Sequence, residues 1–209
     1  MIYDFPDALC PIRQGDIFQR LPRVDISMET IPVLGKDDTV RRAAWSELME
    51  SNDLTTVIAA VRPVAAIVAT QDCDATRATD ITLCEICRFT EVYPGAKETK
   101  SAKGWTSIIT QHARVNLKWF YLPLDKQLGF NEKMAVNFMA TLRLNREELE
   151  KIRCNRIGRL NDEAESHFRE RISEFFRRYP YDEWYALTKD EFAVYANNYP
   201  NTQPRPWQR

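Results

Sequence analysis

The chain has 209 residues, and its 29 lysines and arginines nearly balance 30 aspartates and glutamates, for a formal net charge of -1. Overall charge therefore offers no argument for nucleic-acid binding, although a local basic patch is still compatible with it. No stretch has the roughly 18 uncharged apolar residues of a membrane span, and the first residues lack the basic and apolar regions of a secretory signal. Five scattered cysteines do not form a disulfide pattern. We expect a globular cytoplasmic protein with reduced thiols and no membrane partner.

The first third of the chain predicts a turn, a strand and a helix. Gln14 to Arg20 (QGDIFQR) places Gly15 and Asp16 before an apolar pair, as in a turn that enters a strand. Asp37 or Asp38 is then expected to cap an amphipathic helix that continues to about Glu50.

The middle of the chain is predicted to be β-structure. Two apolar, β-branched runs, 55–61 and 64–70, are typical of strands buried on both faces, and a third run covers 81–92. Further strands are expected at 119–122 and at 135–144, where apolar residues alternate along one face. These strands form the predicted core.

The last third is predicted to be helical. Asn145 and Asn161 each precede a helical pattern, and a further turn or two is expected from Lys189. The segment 200–209 contains three prolines and is expected to be a flexible tail.

The segment Gln71-Asp72-Cys73-Asp74 is a polar, acidic turn at the end of a predicted buried strand. Its two carboxylates, Asp72 and Asp74, would suit a divalent cation, hydrogen bonds to a ligand, or simple turns that accept backbone N–H groups. The acids disfavour ionisation of Cys73, and Arg77 offsets them only weakly, so a catalytic thiolate is the least attractive interpretation.

Cys84 and Cys87 have the spacing of a zinc knuckle. Residues three apart on a strand point to opposite faces, and no second close pair exists, so we favour buried structural cysteines and predict neither a metal nor a cofactor. His112 and His167 lie in predicted helices without a triad pattern.

A basic loop is the best candidate for contacting a phosphate backbone, because a cation beside a stacking ring suits a single strand. A solubilising surface loop explains the same residues. The candidate nucleic-acid-binding residues are Lys97, Lys100, Lys103, Trp105, Arg114 and Lys118.

Three segments in order, QGDIF (14–18), AAIVAT (65–70) and ITLCEI (81–86), resemble the MazF/PemK-type toxins. The chain is also similar to an uncharacterised bacterial family of about this size that carries a motif of the form T-Q-D-C-D, here at 70–74. The resemblance implies an α+β fold: an SH3-like β-barrel with a helical insertion and a helical C-terminal extension. The expected regions are 12–144 for the barrel, 145–199 for the extension packed on it, and 200–209 for the tail.

The resemblance leads to two functional hypotheses. The first is a binding or regulatory module of a bacterial toxin–antitoxin or phage-defence type system that contacts single-stranded RNA, a nucleotide or a protein partner, with homodimers expected because such barrels commonly pair. The alternative is a MazF-like, metal-independent endoribonuclease, in which Arg62 or Arg77 stabilises charge and Asp72 or Asp74 acts as the base. We favour the first because no complete catalytic set is visible.

Overall fold

A computed structural model describes residues 2–35, 37–50, 54–92, 101, 118–177 and 184–209. The chain divides into two compact units, Met1–Ile172 and Ser173–Arg209. Among the described residues, no helix combines the length and the apolar character that a membrane crossing requires.

The fold is mixed α+β and is dominated by an antiparallel sheet. The strands are β1 (Tyr3–Asp4), β2 (Asp16–Val24), β3 (Ile31–Leu34), β4 (Val40–Ala43), β5 (Val61–Val68), β6 (Asp80–Arg88), β7 (Trp119–Leu122), β8 (Met134–Asn145) and β9 (Arg156–Leu160). The helices are α1 (Trp45–Leu48), α2 (Asp72–Ala75), α3 (Phe89–Val92), α4 (Arg146–Lys151), α5 (Asp162–Phe176) and α6 (Lys189–Asn198). Single 3-10 turns cover Arg153–Asn155 and Pro206–Gln208.

Seven strands form one open sheet in the order β1-β9-β2-β5-β6-β8-β7. The predicted closed barrel is wrong, because no strand ladder joins the edge strands β1 and β7 within the described ranges. Near these edges, the Tyr3 hydroxyl donates to the backbone carbonyl of Pro123, just after β7, at 2.9 Å, and the Tyr3 ring meets Phe130 edge-on. With two residues in β1 and four in β7, the edges offer little backbone for a closing ladder.

Both faces of the central strands are buried, as the continuous apolar run at 64–70 predicts. Neighbouring residues Ile17 and Phe18 are 0% exposed, and so are Ala66, Ile67 and Val68. Because successive side chains in a strand point to opposite faces, both faces of β2 and β5 must be covered. Helix α4 contributes Leu149 to the core on one of these faces.

Helix α5 supplies an aromatic contact to the far end of the sheet. Phe168 is fully buried and packs against Phe120 of β7 and Phe138 of β8, with ring centroids 5.3 and 5.8 Å apart. Burial of one Phe side chain stabilises the fold by about 2–3 kcal/mol.

The predicted helical insertion is mostly a β-hairpin, and the expected helix from Asp37 or Asp38 to Glu50 is wrong. Strands β3 and β4 pair antiparallel, and only the four residues of α1 are helical there. Asp38 has a φ of 59°, outside the helical range, and the Asp37 carboxylate accepts from the Thr39 hydroxyl at 2.6 Å. Of the apolar residues with helical spacing, Ala43 and Leu48 join Ile31 and Val33 in a small core, whereas Val40 is exposed.

Two other strand predictions need correction. Residues 55–61 form no strand of their own, and only Val57 makes an isolated bridge, to Val33. Strand β9 was not predicted: it lies between two helices, where the sequence was expected to be helical throughout. Gly158 permits its close approach, because a Cβ there would collide with Leu128 and lie 3.2 Å from the carbonyl of Asp4.

The helix caps agree with the sequence. The Asn145 side chain accepts from the backbone N–H of Glu147 at 2.9 Å, and that of Asn161 accepts from Ala164 at 2.9 Å. In the second unit, Thr188 and Glu191 form a reciprocal capping box at the start of α6. Gln208, within the tail expected to be flexible, is 4% exposed and donates to the carbonyls of Trp184 and Leu187 at 2.6 and 2.8 Å.

Candidate functional site

The Gln14-Gly15-Asp16 turn is the centre of the largest polar cluster described in the first unit. Gly15 has a φ of +84°, a conformation that other residues adopt only with strain. A Cβ there would also lie 3.3 Å from both Glu165 and Leu160. The Gly15 N–H donates to the carbonyl of Val68 at 3.0 Å, which ties the turn to the end of β5.

Asp16 is completely buried, and arginines neutralise it. Its carboxylate accepts from Arg156 at 3.0 Å, from Arg159 at 2.5 and 3.0 Å, and from the backbone N–H of Arg13 at 2.9 Å. Burial lowers the pKa of Arg159, but the hydrogen bond and the charge of Asp16, together with Cys10 and Asp72, jointly outweigh it, so this pKa lies above its ordinary value. Asp16 is therefore fully hydrogen-bonded and has no water-accessible oxygen with which to act as a base.

The acidic segment predicted as a turn forms helix α2, and Asp72 links this helix to the Gln14-Gly15-Asp16 turn. One carboxylate oxygen accepts from the Gln14 N–H at 2.8 Å, and the other accepts from Arg13 Nε at 3.2 Å. These partners lie 58 and 59 residues away in the chain. Asp72 thus joins two distant segments and does not form a local turn.

Gln14 and Glu165 extend the same cluster to helix α5. Gln14, 1% exposed, donates from Nε2 to the carbonyl of Ala69 at 2.7 Å and accepts from Arg169 at 3.1 Å. Glu165 accepts from Arg169 and, at 3.4 Å, from Arg13. We call the whole set the QGD network; it comprises Arg13, Gln14, Asp16, Asp72, Arg156, Arg159, Glu165 and Arg169.

Asp74 and Arg77 lie on the exposed side of the same turn. Arg77 Nη2 donates to Asp74 at 3.2 Å, and the two side chains are 73% and 52% exposed respectively. A pair this exposed is expected to contribute about 0–1 kcal/mol. Cys73 between the acids is also exposed.

Arg62 lies in a different place, near the opposite end of β5. It donates to Glu85 at 2.9 Å and to Asp25 at 3.1 Å, and Arg23 donates to the same two acids. The bonds from Arg23 and Arg62 lower the pKa of Asp25. The bonds to Glu85 and Asp25 raise the pKa of Arg62. We call these four residues the distal network.

The structure therefore does not bring the four candidate catalytic residues together. Arg62 lies six positions before Val68, the last residue of β5, which corresponds to about 20 Å of extended chain. Asp72 belongs to the QGD network, Asp74 and Arg77 bond to each other, and Arg62 belongs to the distal network. Each side chain already has a partner of opposite charge.

Most of the candidate nucleic-acid-binding residues lie outside the described part of the chain. Lys97, Lys100, Lys103, Trp105 and Arg114 are all in this group. Lys118 is described; it is half-buried and immediately precedes β7.

Cys84 and Cys87, the two cysteines with zinc-knuckle spacing, lie in β6. Cys84 is buried, as expected, and burial raises the pKa of its thiol to about 12. Burial, together with Glu91 and Glu85, raises the pKa of Cys87 to about 11, and its thiol donates to the carbonyl of Ala135 at 3.7 Å. Both thiols are protonated at neutral pH, which disfavours nucleophilic or metal-ligand roles. No group of three or more metal-ligating side chains occurs among the described residues.

Sequence reasoning missed most of the QGD network. Arg13, Arg156, Arg159 and Glu165 carried no motif, and the only available signal was the helical spacing of Glu165 and Arg169. Comparison with protein-family models, with curated protein sequences and with solved structures yields no match. The functional argument therefore depends on the geometry of the chain itself.

Proposed function

We propose that this protein is a binding or regulatory module and not an enzyme. The proposal depends on one observation: the four candidate catalytic residues lie in three separate ion-paired groups. Asp72 pairs with Arg13, Asp74 with Arg77, and Arg62 with Glu85. An endoribonuclease of the metal-independent type needs a base and a cation on opposite sides of one reacting phosphate. In the described residues, the groups proposed for that task are held in ion pairs at different ends of β5.

The proposed ligand is single-stranded RNA, or a nucleotide, contacted by the segment that contains Lys97, Lys100, Lys103 and Trp105. Its support is the sequence: three cations and an indole ring occur within nine residues, with one acid, Glu98. A bacterial toxin or phage-defence setting is supported by the QGDIF resemblance, and the SH3-like relationship is part of the same proposal. The QGD network adds a physical role for that motif, because it ties β2, β9, α2 and α5 together.

Incubating the full chain with a single-stranded RNA in the presence of EDTA tests the absence of catalysis. We expect the RNA to stay intact. Fragmentation that Asp74→Ala or Arg77→Ala abolishes would overturn the proposal and favour the ribonuclease. Arg143→Ala is the matched control, because Arg143 is 77% exposed and also pairs with an aspartate, Asp80.

Binding is tested by fluorescence anisotropy with the same RNA. We expect the double variant Lys97→Glu and Lys100→Glu to weaken binding at least about tenfold and to reduce its salt dependence. The control reverses two lysines that are exposed in the described part of the chain, Lys126→Glu and Lys151→Glu, for the same change in net charge. Equal weakening by both double variants would show that overall charge alone causes binding, which would contradict this site.

A further inference from the structure

The second unit has an open cavity of about 760 Å³ between the end of α6 and the chain that follows it. Trp184, Tyr199 and Arg205 contribute to its wall, together with the amides of Asn198, Asn201 and Gln203. This volume is in the range of ligand pockets, about 300–1,000 Å³. Among the described residues that line it, Arg205 carries the only charge.

The wall presents a stacking surface. Tyr199 is 53% exposed, and one side of its ring is covered by Tyr195, with centroids 4.5 Å apart and planes 23° apart. Tyr195 in turn lies 6.1 Å from the ring of Trp184. Because Tyr195 packs against one face of the Tyr199 ring, the other face is available as a rigid surface on which a planar group can stack.

The Arg205 cation and the indole N–H of Trp184 lie next to these aromatic rings. The Arg205 guanidinium lies over Trp184 and Tyr185, at 5.9 and 5.5 Å from the ring centroids. Trp184 Nε1 is buried, and among the described residues it has no hydrogen-bond partner. An unsatisfied buried donor of this kind is uncommon and is a recognised mark of a functional position.

The cavity wall is held in place by its own hydrogen bonds. Gln208 donates to the carbonyls of Trp184 and Leu187, and it accepts from the backbone N–H of Arg205 at 2.9 Å. The N–H of Thr202 donates to the carbonyl of Tyr199 at 3.0 Å. A ligand would thus meet a wall that is already ordered, which reduces the entropy cost of binding.

The geometry points to a binding site for a nucleobase that carries a phosphate, with the base stacked on Tyr199 and the phosphate beside Arg205. The side-chain amides supply both donors and acceptors, which suit the edge of a base. A proline-rich peptide would also use aromatic rings, but its proline side chains carry no anion for Arg205 to bind. The inference uses residues 184–208 alone and does not depend on the proposed function.

Calorimetric titration of the full chain with AMP, adenosine and ribose 5-phosphate tests the site. We expect AMP to bind more tightly than either fragment, because only AMP has both the base and the phosphate. A single-stranded decanucleotide and a proline-rich decapeptide are titrated in parallel. The relative affinities of AMP and the oligonucleotide distinguish a free nucleotide from a nucleic acid as the source of the base.

Variants of the wall locate the binding. Tyr199→Ala is expected to weaken AMP binding about tenfold or more, as for loss of a base-stacking ring, and Tyr199→Phe to preserve it. Arg205→Ala is expected to remove the preference for AMP over adenosine. The control is Val194→Ala on α6, since Val194 is 66% exposed and is not part of the wall. Circular dichroism checks that each variant is folded.

The inference is overturned if neither AMP nor the oligonucleotide binds, or if the peptide binds in their place. It is also overturned if Tyr199→Ala binds AMP as the parent does while folded. If Tyr199→Ala does not fold, Tyr199→Phe and Tyr199→Leu replace it: Phe should preserve binding and Leu should weaken it, and equal affinities would contradict stacking.

Discussion

The two ends of strand β5 have arginine–carboxylate networks of similar chemistry, and one ion pair taken from each network shows a large difference in burial. In the QGD network, Asp16 is 0% exposed and Arg156 is 2% exposed, measured on side chains. In the distal network, Arg62 and Asp25 are 52% and 58% exposed. The same pairing of residue types is therefore expected to stabilise the fold strongly at Asp16 and only weakly between Arg62 and Asp25. The reason is that the cost of leaving a charge unpaired depends on its access to water.

The largest expected effect comes from removing the charge of Asp16, which forms buried ion pairs with Arg156 and Arg159. Asp16→Asn should destabilise the first unit by about 3–5 kcal/mol, since two arginines would lose their counter-charge while remaining buried. Urea denaturation followed by circular dichroism measures the change, with Asp80→Asn as the control, because the Asp80 side chain also pairs with an arginine but is 30% exposed. A loss of less than about 1 kcal/mol in the free energy of unfolding would show that Arg156 and Arg159 find other partners. That result would contradict a stabilising role for their ion pairs with Asp16.

Glu85, the most buried member of the distal network, should give an intermediate effect. Glu85 is 12% exposed and accepts from both Arg23 and Arg62, so Glu85→Gln should cost about 2 kcal/mol. The same urea titration measures it. Glu132→Gln is the control, because that glutamate also pairs with an arginine, Arg88, but is 47% exposed. Equal effects of the two substitutions would show that burial does not set the difference.

An exposed arginine should matter least among the ion-pair deletions. Arg62→Ala is expected to destabilise by about 1 kcal/mol or less, because water replaces much of the lost attraction. The effect should shrink further between about 0.1 and about 1 M NaCl, since salt screens exposed charges. A loss as large as that of Asp16→Asn, unchanged by salt, would contradict the contrast between the two ends of β5.

The smallest effect is a pH dependence at Asp25. Bonds from Arg23 and Arg62 hold its pKa below the ordinary 3.8 in the folded state, so the unfolded chain binds the proton more readily. The contribution to stability is thus present above about pH 4 and is lost as pH falls through the lower, folded value. Asp25→Asn should be less stable than the parent at pH 6, and the difference should shrink as the pH falls through the lowered pKa of the folded state. A difference that grows on acidification would reverse the assigned sign.

Local patterns predicted several elements well. The β-branched run at 64–70, the alternation at 135–144 and the cap residues Asn145 and Asn161 describe neighbouring residues, and their energetics are decided within a few positions. Residues 40–50 show the limit of the same reasoning. Val40 and Ala43 have helical spacing, yet pairing with β3 overrides it, because a strand partner contributes hydrogen bonds and packing that spacing does not reveal.

The polar network shows the same limit. Asp72 was identified as a candidate by its local composition, but its role depends on Arg13 and Gln14, and Asp16 depends on Arg156 and Arg159, about 140 residues away. No local pattern marks a bond across such a separation.

By itself, the sequence determined that the 64–70 segment is apolar enough to be buried on both faces, that helices begin after Asn145 and Asn161, and that the chain carries almost no net charge. The tertiary structure alone decided that the sheet stays open, that β9 inserts between β1 and β2, and that the arginines of the last third neutralise the acid of the first. The physical reason is that strand order and ion pairing are relations between distant residues, whose free energy exists only once the chain has brought them together.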